Sequence, residues 1–240
     1  MIDIRPFNTL GAANHGWLDA HHHFSFAGYN DENRVHWGAL RVWNDDRIAA
    51  GSGFPPHPHR DMEIITYVRK GAITHQDNLG NKGRTEAGDV QVMSAGSGIT
   101  HSEYNLETSE TDIFQIWIIP NTRGGTPTWG AQPFPKESRA GQFVTLASGY
   151  KEDADALPIR AEGRVLGATL KAGQTIEYRL EAGHYVYLVP AQGSVEIADA
   201  DKSGETRALE ARDGAAISDL TTLRITARAD AELVLVDTAM

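Results

Sequence analysis

Apolar positions along this chain come in short runs that alternate with polar neighbours, and Gly, Asn or Asp breaks the runs. Segments 63–68, 72–76, 88–93 and 112–120 have the length of strands and are rich in β-branched residues. Turn chemistry separates them, as in Lys70-Gly71, Asn78-Leu-Gly80 and Ala87-Gly88-Asp89. No segment carries a long apolar stripe of helical period, so an all-β fold is predicted. Leu40-Arg-Val42-Trp43 reads as a short strand and Asn44-Asp45-Asp46-Arg47 as the turn after it. Residues 121–142 shift to Gly, Pro, Thr and charge and read as a crossing linker, with a strand over 143–147 and an acidic loop over 151–156.

The same pattern then recurs. Tyr67-Val-Arg-Lys-Gly71-Ala-Ile aligns with Val189-Pro-Ala-Gln-Gly193-Ser-Val, and Glu86-Ala-Gly88-Asp with Arg212-Asp-Gly214-Ala. Asp112-Ile-Phe-Gln-Ile-Trp117 aligns with Ala231-Glu-Leu-Val-Leu-Val236. An internal repeat decides architecture, and here it predicts two copies of one antiparallel, jelly-roll-like β-barrel packed together, within 1–135 and 136–240. The last strand, 233–237, is a candidate for exchange between the halves.

Composition narrows the function. A net charge of -10 disfavours nucleic acid and anionic membrane surfaces as partners. No apolar run has the length of a membrane span, and Met1-Ile-Asp-Ile-Arg-Pro lacks the character of a signal peptide, so a cytoplasmic protein is expected. Cysteine is absent, which removes disulfides, thiolate metal sites and cysteine nucleophiles together.

Histidine supplies the candidate chemistry. His57 and His59 share one face of a strand, and His101 and Glu103 share one face of another. Side by side, these strands would gather three imidazoles and a carboxylate, a donor set suited to Fe, Mn, Co, Ni, Cu or Zn. Glu63, with the strand parity of His57 and His59, is a rival carboxylate. By the repeat register, Arg179 and Glu181 stand opposite His57 and His59, so only the first half carries the ligand pattern. His15, His36, His75 and His184 read as structural, and His21, His22, His23 and Phe24 as packing residues.

Gly51-x5-His57-x-His59-x3-Glu63 and Gly98-x2-His101-x3-Asn105 resemble the two cupin motifs. Gly71 comes one residue later than the motif has it, and Gly96-x-Gly98 replaces the usual Pro-x-Gly. With Pro56-His-Pro-His-Arg-Asp-Met-Glu63, His101-Ser-Glu103 and His15-Gly-Trp17-Leu-Asp19, these departures are similar to the pirin branch of the cupins. The resemblance implies a bicupin with one divalent transition metal, Fe(II) first in expectation, held by His57, His59, His101 and Glu103. Glu63 then becomes a neighbour that orients an imidazole. It further implies a quercetin 2,3-dioxygenase, which opens a flavonol with O2 to a depside and carbon monoxide, with Glu103 as the catalytic base and no organic cofactor. The alternative from another class is a metal- and redox-sensing regulator acting through a partner protein. A monomer is expected, since one chain already supplies two packed barrels.

Overall fold

The computed structural model describes residues 1–202 and 205–240. In the first half a seven-stranded sheet runs in the order Thr128–Gln132, Val90–Ser94, Glu63–Lys70, Thr111–Ile118, Leu40–Ile48, Leu18–His22, Gly11–Asn14. A four-stranded sheet of Gly53–His59, Ile99–Tyr104, Ala72–Asp77 and Lys82–Glu86 packs on one face of it. The second half repeats this plan. Its larger sheet runs Ile2–Arg5, Gly214–Ile217, Tyr185–Gln192, Ala231–Thr238, Gly163–Leu170, Val144–Ser148, Leu157–Pro158. Its smaller sheet runs Thr175–Arg179, Thr222–Ala227, Val195–Asp199, Arg207–Leu209. Among the described residues no helix is long and apolar enough to cross a membrane.

The two large sheets meet back to back. Trp43, Tyr67 and Phe114 from the first half interdigitate with Tyr187, Val189 and Val234 from the second in one apolar core. The faces that point away from this seam differ in character. In the second half they form one continuous core, including Leu166, Leu188, Leu235 and Ala215. In the first half the interior core is split into two smaller clusters, one around Ile48, Ile73 and Ile113 and one around Ile64, Met93 and Ile99.

The structure departs from the sequence reading in four places. Each half is a sandwich of two open sheets and not a closed barrel; in the first half Gly11–Asn14 and Gly53–His59 are edge strands of the two sheets that do not pair with each other, and a cavity occupies that seam. The strand Ala231–Thr238 stays between Gly163–Leu170 and Tyr185–Gln192, so it is not exchanged. The N-terminal strand Ile2–Arg5 crosses instead, pairing with Gly214–Ile217 and covering an edge that would otherwise expose unpaired backbone groups. Thr128–Gln132, inside the segment read as linker, covers the equivalent edge at Val90–Ser94.

The fourth departure is at residues 44–47, which continue the strand Leu40–Ile48 and do not turn. Tertiary charge pairing overrides its local turn chemistry. Asp45, fully buried at the junction of the halves, accepts hydrogen bonds from Arg69 of its own half and Arg212 of the other. Removing one member of a buried ion-pair network leaves uncompensated charge behind. Asp45→Ala is therefore expected to destabilise the protein by about 3–5 kcal/mol, read as a lowered midpoint in urea; a loss below about 1 kcal/mol, the range of exposed pairs, would contradict this role.

Candidate metal centre

Two antiparallel strands of the small sheet bring the histidines together. Gly53–His59 pairs with Ile99–Tyr104 so that His57 faces His101 directly. The register slips between His101 and Glu103, where Gly53 crosses so close that a Cβ would lie 2.3 Å from the Glu103 carbonyl oxygen. Glycine is what allows that crossing. The ring centroids of His57, His59 and His101 lie 4.5 to 5.0 Å apart. One ligand atom from each falls within 4.8 Å of the others.

Hydrogen bonding leaves the inward nitrogens free. His57 Nδ1 donates to the Pro55 carbonyl at 2.7 Å, which keeps Nε2 as the bare nitrogen. His101 Nε2 is buried without any hydrogen-bond partner. An orphaned buried nitrogen costs about 1–3 kcal/mol, and a cation at the common point of the three rings would satisfy it. Burial, followed by neighbouring His101 and His57, pushes the His59 pKa down to about 4. Burial, with His57 and His75 adding to it against Asp77, pushes His101 down to about 3. Both rings are neutral at pH 7, the state in which imidazole ligates.

Glu103 reaches the same interior from the strand Ile99–Tyr104, and an oxygen of it lies within 4.8 Å of ligand atoms of His101 and His75. Its carboxylate is held by the facing sheet. Oε1 accepts from Thr66 Oγ1 at 3.0 Å and from Gln91 Nε2, and Oε2 accepts from Gln115 Nε2 at 2.6 Å. These donors belong to one row of residues directly opposite each other across five strands: His22, Asn44, Gln115, Thr66 and Gln91. The matching row in the second half is Leu166, Leu235, Leu188 and Ala215, so the Gly71–Gly193 register holds while the sequence alignments of 112–117 and of Gly88 shift by one and two residues: Gln115 matches Leu235 and not Val234, and Gln91 matches Ala215 and not Ile217. The polar row is what divides the first half's interior core.

Glu63 lies elsewhere. Its oxygens accept from Ser94 Oγ at 2.8 Å and from the Arg160 backbone at 3.1 Å, with no imidazole bound to it among the described residues. Burial raises its pKa against those two hydrogen bonds. It ties the large sheet to the second half and does not orient an imidazole.

A cavity of about 470 Å³ fills the open seam beside the centre. Gln115, which holds Glu103, forms part of its wall, and so does Phe54, whose ring lies 6.3 Å from that of His57. Leu18, Ala20 and Phe26 make it apolar, while His22, Asn44 and Asp46 give it polar points. Burial, then Asp45 and Glu103, raises the Asp46 pKa well above the ordinary carboxylate value. His15 and His22 line the cavity, His23 packs in the seam against Tyr187, and His184 pairs with Asp237.

His75, structural on its sequence context, sits against the centre. Its Nδ1 lies 3.3 Å from His101 Nδ1, its Nε2 lies 3.0 Å from Asp77 Oδ2, and its ring stacks on Trp129 at 4.8 Å. The sequence did carry a signal for these residues. Thr66, Gln91 and Gln115 are isolated polar positions inside apolar strands, and His75-x-Asp77 repeats the two-residue spacing of the ligand pairs.

The buried histidines set the acid behaviour of the metal-free fold. His21, His22, His23, His59 and His101 all have lowered pKa values, so below pH 6.5 the unfolded chain binds more protons. Asp46 and Glu63, whose values are raised, act in the opposite sense but are fewer. The stability from these imidazoles is full above pH 6.5 and lost as pH falls toward 3. The urea midpoint of metal-free protein is expected to be flat from pH 7 to 8 and to drop steeply below about 6.5; a midpoint unchanged at pH 5 would contradict this.

Comparison with known proteins agrees with this architecture. The profile of the family described as Pirin matches residues 4–118, and that of the Quercetinase C-terminal cupin domain matches 145–238. The chain is 67% identical to a pirin-like protein of Caulobacter vibrioides, with 100% of each chain covered. It is 40% identical to a quercetin 2,3-dioxygenase of Escherichia coli K12, covering 99% of this chain and 98% of that one. The crystal structure of the Escherichia coli bacterial pirin YhhW in complex with nickel(II) superposes with a TM-score of 0.90 at 39% identity, covering 100% and 99% of the two chains. With two cupin-like sandwiches and this degree of identity over its whole length, the chain belongs to the pirin family.

Proposed function

We propose that this protein is a metal-dependent dioxygenase that cleaves a flavonol such as quercetin with O2, releasing carbon monoxide and a depside. The observation that carries the reading is the cavity of about 470 Å³ sharing Gln115 and Phe54 with the surroundings of Glu103 and His57. A sealed structural metal site has no use for such a space, and its volume lies in the range of small-molecule pockets. The names of relatives, quercetin 2,3-dioxygenase in Escherichia coli among them, support the same class.

His57, His59 and His101 would hold a divalent transition metal, with Glu103 completing the set. The metal would supply Lewis acidity toward the flavonol 3-oxygen and a path for electrons to O2. Iron(II) is our first choice, and the nickel(II) complex of YhhW makes Ni(II) a second. The protein's own part is positioning and proton transfer. Leu18, Ala20 and Phe26 offer apolar surface for a flat aromatic ligand and exclude water from it. Glu103 would take the 3-hydroxyl proton on Oε2, the oxygen that carries one donor where Oε1 carries two, at the one acceptor site its hydrogen bonds leave open and with its hold on the metal released for that step. Thr66 and Gln91 keep the carboxylate from swinging while it does so.

Aerobic quercetin turnover with carbon monoxide detection tests this, on protein loaded separately with Fe(II), Mn(II), Co(II) or Ni(II). Flavonol loss with carbon monoxide release is expected for at least one ion, and His101→Ala is expected to abolish it. Ala13→Trp, which narrows the cavity, is expected to raise KM at least tenfold with metal content unchanged. Tight metal binding without turnover by any ion would overturn the dioxygenase reading and favour a regulator that acts through a partner protein.

A further inference from the structure

Behind His101 lies a line of side chains that the ligand set does not include. Asp77, His75 and His101 are joined through Oδ2···Nε2 at 3.0 Å and Nδ1···Nδ1 at 3.3 Å. All three are buried, and His75 is fully so. Asp77 and His75 come from the strand Ala72–Asp77, which pairs with the strand of His101 so that His101 faces Asp77 and Glu103 faces His75. Trp129 stacks on His75 at 9° between planes, and Gly83 makes room for it, since a Cβ there would lie 2.2 Å from the indole. The His75 ring is therefore fixed in plane and in rotation.

We propose that Asp77 and His75 are positioning residues that lock His101 in the tautomer presenting a bare Nε2 to the metal. The inference rests on the metal-site reading above. Asp77 Oδ1 accepts from the backbone N–H groups of Leu79 and Asn81, and Oδ2 accepts from Asn81 Nδ2. This carboxylate only accepts, so His75 Nε2 must carry the hydrogen that it receives. A neutral His75 then has a bare Nδ1, which can only accept. The sole polar hydrogen available across the 3.3 Å gap is one on His101 Nδ1. With its hydrogen there, His101 Nε2 is a lone pair, and this is the atom found buried without a partner. A doubly protonated His75 would reverse the last step, but that state adds a cation beside three imidazoles that gather a metal.

Asp77→Asn reverses the chain of donors. The two backbone N–H groups on Oδ1 hold an amide oxygen in that position, which places the new NH2 group where Oδ2 faces His75, with the Asn81 side-chain amide turned over so that its oxygen accepts the second hydrogen. His75 Nε2 then accepts, its Nδ1 donates, and His101 is driven to the Nε2–H form that cannot ligate. His75→Gln returns an acceptor to His101 through its amide oxygen, whereas His75→Leu returns none.

The direct test is a long-range proton–nitrogen-15 NMR spectrum of the metal-free protein, which assigns the tautomer of each imidazole without metal or turnover. His101 is expected as Nδ1–H and His75 as Nε2–H in the unaltered protein, with both reversed in Asp77→Asn. Titration with Ni(II) alone is expected to show affinity about 10–100-fold weaker in Asp77→Asn and His75→Leu, and close to the original in His75→Gln. His101 found as Nε2–H, a doubly protonated His75, or Asp77→Asn with unchanged tautomers and Ni(II) affinity would each overturn the proposal. If Asp77→Asn does not fold, the tautomers of the unaltered protein decide alone. Absence of quercetin turnover would bear on the reaction and leave the tautomer result intact.

Discussion

Burial of the Glu103 carboxylate between two sheets is the constraint on which the first half depends. A carboxylate in an apolar sandwich is costly unless donors meet it, and here Thr66, Gln91 and Gln115 do so from three neighbouring strands. Because residues directly opposite on paired strands lie in one row, a donor on each strand suffices when the register is right. The row extends through Asn44 to His22, where it reaches the cavity. One feature of register thus fixes the carboxylate, splits the apolar core and gives the cavity its polar wall.

The second half shows the same frame without that demand. Its corresponding row is Leu166, Leu235, Leu188 and Ala215, and its interior core is continuous. The two halves share one back-to-back apolar seam, so the cohesive half can support the half whose interior holds polar groups. Asp45, bridged to Arg69 and Arg212, adds a charged tie across that seam. Ile2–Arg5 and Thr128–Gln132 close the matching edges of the two large sheets. Duplication allows this division: chemistry gathers in one copy while packing is kept in the other.

How much of this the sequence disclosed depended on the range of the interaction concerned. The all-β class and the repeat were legible because strand-length runs and turn residues are local signals, as at Gly71 and Gly193. The convergence of His57, His59 and His101 followed from strand parity plus the pairing of two strands. Residues 44–47 carry a local turn signal because Asn and Asp favour turns, while Arg69 and Arg212, distant in sequence, fix Asp45 in a strand. The segment holding Thr128–Gln132 looked like a linker because its Gly and Thr content hid an edge strand whose Trp129 steadies His75. Sheet closure and the crossing of Ile2–Arg5 were invisible, since both depend on which edges meet in three dimensions.

The central claim is that His57, His59, His101 and Glu103 form one ligand set in the first half alone. X-ray absorption spectroscopy of protein loaded with a single transition metal, combined with elemental analysis, addresses it directly. The account predicts one ion per chain, bound by three imidazole nitrogens and one carboxylate oxygen, and loss of that carboxylate scatterer in Glu103→Gln but not in Glu63→Gln. A second equivalent of metal held by the other half, or a coordination sphere unchanged by Glu103→Gln, would contradict it.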